Sequence, residues 1–198
     1  MVLINLSSLV DAYVDVSNGW SSLKQFTVPH AIKILRGICN VKSLVLSDDT
    51  LEFLSYTENL SSLFPTFHNL THIRVLRRLY GFNYKALLDI LEKSPNLEVI
   101  NIYQELNPDS CLEGDEWTFS SVPHCFKSSL KSFIISDFDG CATDMQFLNF
   151  LLKNATILRE ITIFCEQSLA ADSKKQAEIS NQLQIARRGL ANCVINIQ

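Results

Sequence analysis

The sequence predicts an α/β fold: a leucine-rich-repeat-like solenoid of right-handed βα units, with parallel strands on its concave face and helices on its convex face. Three observations carry that expectation. Apolar residues in the pattern L-x-x-L-x-L recur as Val41/Leu44/Leu46, Leu70/Ile73/Val75, Leu97/Ile100/Ile102, Leu130/Phe133/Ile135 and Leu158/Ile161/Ile163. The first positions are 41, 70, 97, 130 and 158, so the spacings are 29, 27, 33 and 28 residues, at or just above the ~20–29 usual for such repeats. Between them lie segments whose apolar residues follow the helical i, i+3, i+4, i+7 spacing. A strand, a helix and another strand force parallel pairing, and stacked units of about thirty residues curve into a solenoid.

The elements follow in chain order. Met1 to Val10 is mildly apolar but has no Lys or Arg ahead of it, and Asp11 and Asp15 stand where a cleavage site would lie. It reads as structure, not as a signal peptide. Ala31/Ile34/Leu35/Ile38 predicts a first helix, Tyr84/Leu87/Leu88/Leu91 a second, Leu148/Leu151/Leu152/Ala155 a third and Ile179/Leu183/Ala186 a weaker fourth. Asn83 is placed to cap the second, while Thr143 with Gln146 and Ser173 with Gln176 have the spacing of a capping box. Ser94-Pro95 stops the second helix and Gly189 follows the last. Pro108, Gly114, Asp115, Glu116 and Pro123 interrupt the pattern. The chain therefore divides into irregular repeats over 1–104, an excursion over 105–127, and a C-terminal region over 117–198 that continues the array to a partial copy at Ile195/Ile197.

Strand alternation sorts the faces. The repeated apolar positions point inward, so Val45, Arg74, Asn101, Ile134 and Thr162 form one outward row, and Ser47, Leu76, Tyr103, Ser136 and Phe164 the next. Arg74, Asn101, Tyr103, Thr162 and Phe164 are the candidate partner-binding residues, because aromatic and Arg side chains most often anchor binding energy. Arg74 also belongs to a basic cluster with Arg77, Arg78, His72 and Tyr80, which can grip an acidic peptide or serve only as a solvated face.

Composition narrows the function classes. Hydrophobic residues make up 47% and charged residues 19%, which supplies a core and argues against a disordered polymer. A net charge of −4 gathers no polyphosphate backbone, so nucleic acid is not an expected partner. No long uncharged apolar run predicts a membrane span. Six cysteines without a C-x-x-C pair read as thiols of a reducing compartment, cytoplasmic or nuclear. The sequons at Asn5, Asn59, Asn69 and Asn154 matter only in a secreted chain.

The run LEKSPNLEVINIY from Leu91 to Tyr103, then Trp117, VPHC (Val122 to Cys125), SSLKSF (Ser128 to Phe133), FDG (Phe138 to Gly140), FLLKNA (Phe150 to Ala155), Thr162-Ile163, Arg188-Gly189 and Cys193-Val194 resembles the plant F-box/FBD/leucine-rich-repeat proteins. The order of the fragments carries the likeness. The FBD-like region covers about Trp117 to Gln198. The resemblance implies a non-catalytic module that selects protein substrates for a ubiquitin ligase. Residues 1–30 show no F-box pattern, so docking on the ligase adaptor is not expected.

A competing motif is Ile134 to Gly140, a strand leading into D-x-D-G, which is similar to the nucleophile motif of haloacid-dehalogenase-type phosphatases. There Asp137 would attack phosphorus, Asp139 would act as general acid/base and magnesium would neutralise the oxygens. Cys141 stands where that family has Thr, and no acidic pair follows downstream. His68 and His72 are four apart across a loop-to-strand join, and Cys111, His124 and Cys125 lack paired ligand spacing. No metal or cofactor is expected.

Overall fold

The computed structural model describes residues 6, 8–16, 24–57, 60–77, 84–104, 121–187, 190 and 192–198. Their elements run β1 (Asp11–Val14), α1 (Lys24–Gly37), β2 (Ser43–Ser47), α2 (Asp48–Ser55), α3 (Leu60–Leu63), β3 (His72–Arg77), α4 (Tyr84–Glu92), β4 (Val99–Gln104), α5 (His124–Ser128), β5 (Ser132–Phe138), α6 (Ala142–Asn154), β6 (Glu160–Cys165), α7 (Gln167–Ala171), α8 (Ser173–Ala186) and β7 (Val194–Ile197). The seven strands form one parallel sheet in strictly sequential order. The class is mixed α/β.

One face of the sheet is the core. Leu44 and Leu46, Ile73 and Val75, Ile100 and Ile102, Phe133 and Ile135, and Ile161 and Ile163 are all buried. Their register is exact across the sheet from β2 to β6: Leu44, Ile73, Ile100, Phe133 and Ile161 are successive partners. The leading residues Val41, Leu70, Leu97, Leu130 and Leu158 lie buried in the turns before the strands. Helices pack on this face and against their neighbours, α1 on α2, α2 on α4, α4 on α5, α5 on α6 and α6 on α8.

A hydrogen-bond device repeats at the starts of β2 to β6. The Val10 carbonyl accepts from the Lys42 and Ser43 amides, Lys42 from Thr71 and His72, Thr71 from Glu98 and Val99, Glu98 from Lys131 and Ser132, and Lys131 from Arg159 and Glu160. Each strand thus fixes the next before the ladder proper begins. Turn side chains add a second tie: Asn69 Nδ2 donates to the Asn40 carbonyl at 3.3 Å, Asn96 Nδ2 to His68 at 2.8 Å and Ser129 Oγ to Pro95 at 2.8 Å. These polar turns are satisfied by the neighbouring repeat, so they need no burial of their own.

The helices fall where periodicity places them, with differences at their ends. The first starts at Lys24 and runs through Pro29, earlier than the apolar stripe indicates. Asp172, not Ser173, caps α8, its Oδ1 accepting from the Lys174 and Lys175 amides at 3.1 and 3.0 Å. Thr143 is buried inside α6, whose N-cap is Cys141. Asn83 and Gly189 lie outside the described residues. Ser47 corrects the outward row: β2 runs straight into α2, so Ser47 is fully buried and its Oγ accepts from the Thr50 amide. Thr50 Oγ1 in turn accepts from the Val16 amide at 2.8 Å, tying the end of β1 to this corner.

Candidate functional site

Among the described residues the opposite face of the sheet is half-buried to exposed, and it gathers the candidate residues. Register places Tyr13, Val45, Arg74, Asn101, Ile134, Thr162 and Asn196 in one row across all seven strands. Arg74 is exposed; Asn101, Ile134 and Thr162 are half-buried between their neighbours. The next row holds Leu76, Tyr103 and Ser136. Tyr103 is 47% exposed, Phe164 41% and Tyr13 53%, so three aromatic rings stand on a surface where burial normally claims such side chains. Tyr13 is the member that periodicity missed, because its strand carries a single fully buried residue, Val14, and no L-x-x-L-x-L.

Phe164 has two residues opposite it. Between Ile135↔Ile163 and Phe138↔Cys165 the pairing of β5 with β6 shifts, and Asp137 in that interval has φ +53. This is a β-bulge, the extra residue turning left-handed so that Ser136 and Asp137 both leave the core side. Burial, and then the charge of Glu166 just beyond β6, holds the Asp137 carboxyl above its ordinary value. On the neighbouring strand, Asn101 Oδ1 is buried without a hydrogen-bond partner.

Beyond the sheet's upper end lies a closed polar cluster. Arg77 is no part of an exposed basic patch: it is 5% exposed and donates from Nη1 to Asp144 Oδ2 at 2.8 Å and Oδ1 at 3.0 Å. The Tyr84 hydroxyl donates to Asp144 Oδ1 at 2.7 Å, and its ring stacks on Phe147 with centroids 4.1 Å apart. Burial works against the Arg77 charge, but the Asp144 carboxylate together with Tyr84 and Cys141 offsets it and lifts the guanidinium above its usual value. Burial and the Asp144 charge likewise push the Tyr84 hydroxyl up. Arg78 and Tyr80 lie outside the described residues.

Asp139, Cys141 and Asp144 offer ligand atoms within 4.8 Å of one another. Their chemistry is not that of a cation site. Asp144 already neutralises Arg77, burial first and Asp144 second push the Cys141 thiol up toward its protonated form, and Asp139 Oδ1 accepts from the Cys141 amide at 2.9 Å. Asp137 is half-buried at the bulge while Asp139 serves the turn, with Lys175 Nζ on its carbonyl at 3.0 Å. His68 sits in an exposed turn, and His72 opens β3 with its Nδ1 on Thr71 Oγ1 at 2.9 Å. Cys125 is buried, its thiol donating to the Leu91 carbonyl at 3.6 Å and pushed up to about 12 by burial. Cys111 and Trp117 lie outside the described residues.

The FBD family model matches residues 118–163. The chain is 29% identical over 203 aligned residues to an F-box/FBD/LRR-repeat protein of Arabidopsis thaliana, an alignment covering 99% of this chain and 42% of that relative. It is 30% identical to F-box/LRR-repeat protein 13 of the same plant, over 85% of this chain and 37% of the relative, and 30% identical to an FBD-associated F-box protein over 81% and 33%. The chain thus spans about two fifths or less of the length of these curated relatives. No solved structure matches. Nothing in these likenesses supports a magnesium-dependent phosphatase using Asp137 and Asp139.

Proposed function

Because the chain belongs to the plant F-box/FBD/leucine-rich-repeat family, we propose that it is a non-catalytic protein-interaction module whose open sheet face selects a protein partner. In this reading the array is a right-handed solenoid, the open face its concave side and the helices its convex side. Sequential strand order and neighbour-to-neighbour helix packing support that geometry. In this reading the partner is a substrate presented for ubiquitination, in line with the F-box relatives, in the cytoplasm or nucleus. Adaptor docking is not assigned to residues 1–30.

The observation that carries the reading is the row of outward residues that runs across all seven strands, with exposed rings and an exposed Arg among the described residues. Tyr103 and Phe164 offer rigid contact area, and Arg74 a planar cation for a carboxylate. The test is capture of the native partner by Arg74→Ala combined with Tyr103→Ala. Capture should fall by about thirtyfold, the equivalent of ~2 kcal/mol, with circular dichroism near wild type. Lys85→Ala with Lys153→Ala, on exposed helix positions, should leave capture intact. Unaltered capture by the first pair, or equal loss from the second, overturns the proposal.

A further inference from the structure

We infer that Arg74 and Tyr103 together read a carboxylate and an apolar side chain two residues apart on an extended segment of a protein partner. This deepens the proposed docking face and rests on it. Arg74 is exposed on β3, and among the described residues its side chain makes no hydrogen bond or ion pair. Register surrounds it with residues 43–47 of β2, 72–76 of its own strand and 99–103 of β4, and none of these is Asp or Glu. On a chain of net charge −4 this is a local reversal of sign. A guanidinium with its N–H donors unspent is complemented by a carboxylate, which its fork binds through two parallel hydrogen bonds.

Two residues of β4 place the segment. Asn101, the register partner of Arg74, holds its Oδ1 buried without a hydrogen-bond partner. The backbone of β3 lies one strand spacing away, about 4.8 Å, so the guanidinium can give one N–H to that oxygen while its other edge takes the carboxylate. The bound state then satisfies an acceptor that is costly to leave orphaned. Tyr103 follows two residues on along β4, on the same face and 47% exposed, with half-buried Leu76 as its register partner. Residues i and i+2 of an extended segment share a face about 6.6 Å apart, the same interval as that from Asn101 to Tyr103. A segment running along β4 therefore sets its acidic residue at Arg74 and its apolar residue at Tyr103. A basic residue in the first place would meet like charge.

The test selects a phage-displayed library of random dodecapeptides on the full chain and reads the enriched residue pairs by sequencing. Wild type should enrich Asp or Glu two residues from an apolar residue by about fivefold over the unselected library. Arg74→Glu should exchange the acidic preference for a basic one and keep the apolar position, whereas Tyr103→Ala should lose the apolar position, each with a melting temperature near wild type. Apolar enrichment without an acidic preference, or an acidic preference that survives Arg74→Glu, overturns this reading and leaves the docking face standing. So does a selected peptide, resynthesised, that binds about tenfold better with phosphoserine than with Glu in the acidic place. No enrichment at all overturns the reading, and peptides enriched alike by wild type and by Arg74→Glu with Tyr103→Ala overturn the docking face with it.

Discussion

Arg77 and Asp144, 67 residues apart in the chain, meet as a buried ion pair in which one guanidinium nitrogen donates to both carboxylate oxygens at 2.8 and 3.0 Å. The pair joins the end of β3 to the first turn of α6, reaching past the intervening repeat of β4. Tyr84 at the start of α4 closes the link from a third element. Repeat arrays are held mainly by nearest-neighbour contacts, and this cluster adds a tie that reaches past one repeat.

Breaking this tie on one side should be costly. Arg77→Met leaves the Asp144 carboxylate, whose side chain is 0% exposed, without its counter-charge, at about 3–5 kcal/mol. Arg77→Met with Asp144→Leu should recover part of that loss. Urea unfolding of the three chains measures both values, and a single variant as stable as wild type would show that the pair carries no weight.

Adjacent residues on β3 should respond oppositely to the same change. Ile73 is 1% exposed in the core and Arg74 is exposed on the other face. Ile73→Asp should cost several kcal/mol or prevent folding, since the charge has no partner there; Arg74→Asp should shift the melting temperature by only a few degrees. Equal effects would mean that the face assignment is inverted.

Asp137→Asn should leave the chain as stable as wild type at pH 7 or raise its melting temperature by about 1–2 °C. The native carboxyl sits above its unfolded value, so its contribution is present below the unfolded pKa and is lost as pH rises through the folded one. The gain from Asn should accordingly vanish in acid, where the aspartate is protonated. Thermal unfolding from pH 3 to 7 checks the sign; a deficit that grows with pH refutes it.

Cys125 should resist alkylation. With the thiol pushed up to about 12, its thiolate fraction at pH 8.5 is roughly a thousandfold below that of a free cysteine. Mass spectrometry after iodoacetamide should find Cys125 unmodified in the native chain and modified in guanidinium. Rapid native labelling would place it outside the core.

The repeats were legible because each strand spends two buried residues plus one turn residue, and three fixed apolar positions recur visibly. Where an element spends less, the pattern fades. β1 buries only Val14, and α2 follows Ser47 with no loop to announce it. The outward row from Arg74 to Thr162 could be read from alternation, but Asp137 could not, since the bulge breaks the period that alternation relies on. Arg77 was misjudged for a related reason. A strand position names a face, whereas the buried partner of an arginine is set by an element 67 residues on.

Strand starts have one more consequence. The carbonyl of Glu98 receives the amides of Lys131 and Ser132 although residues 105–120 intervene, just as Thr71 receives those of Glu98 and Val99 across a shorter interval. Strand alignment is thereby decoupled from the length of what lies between β4 and α5.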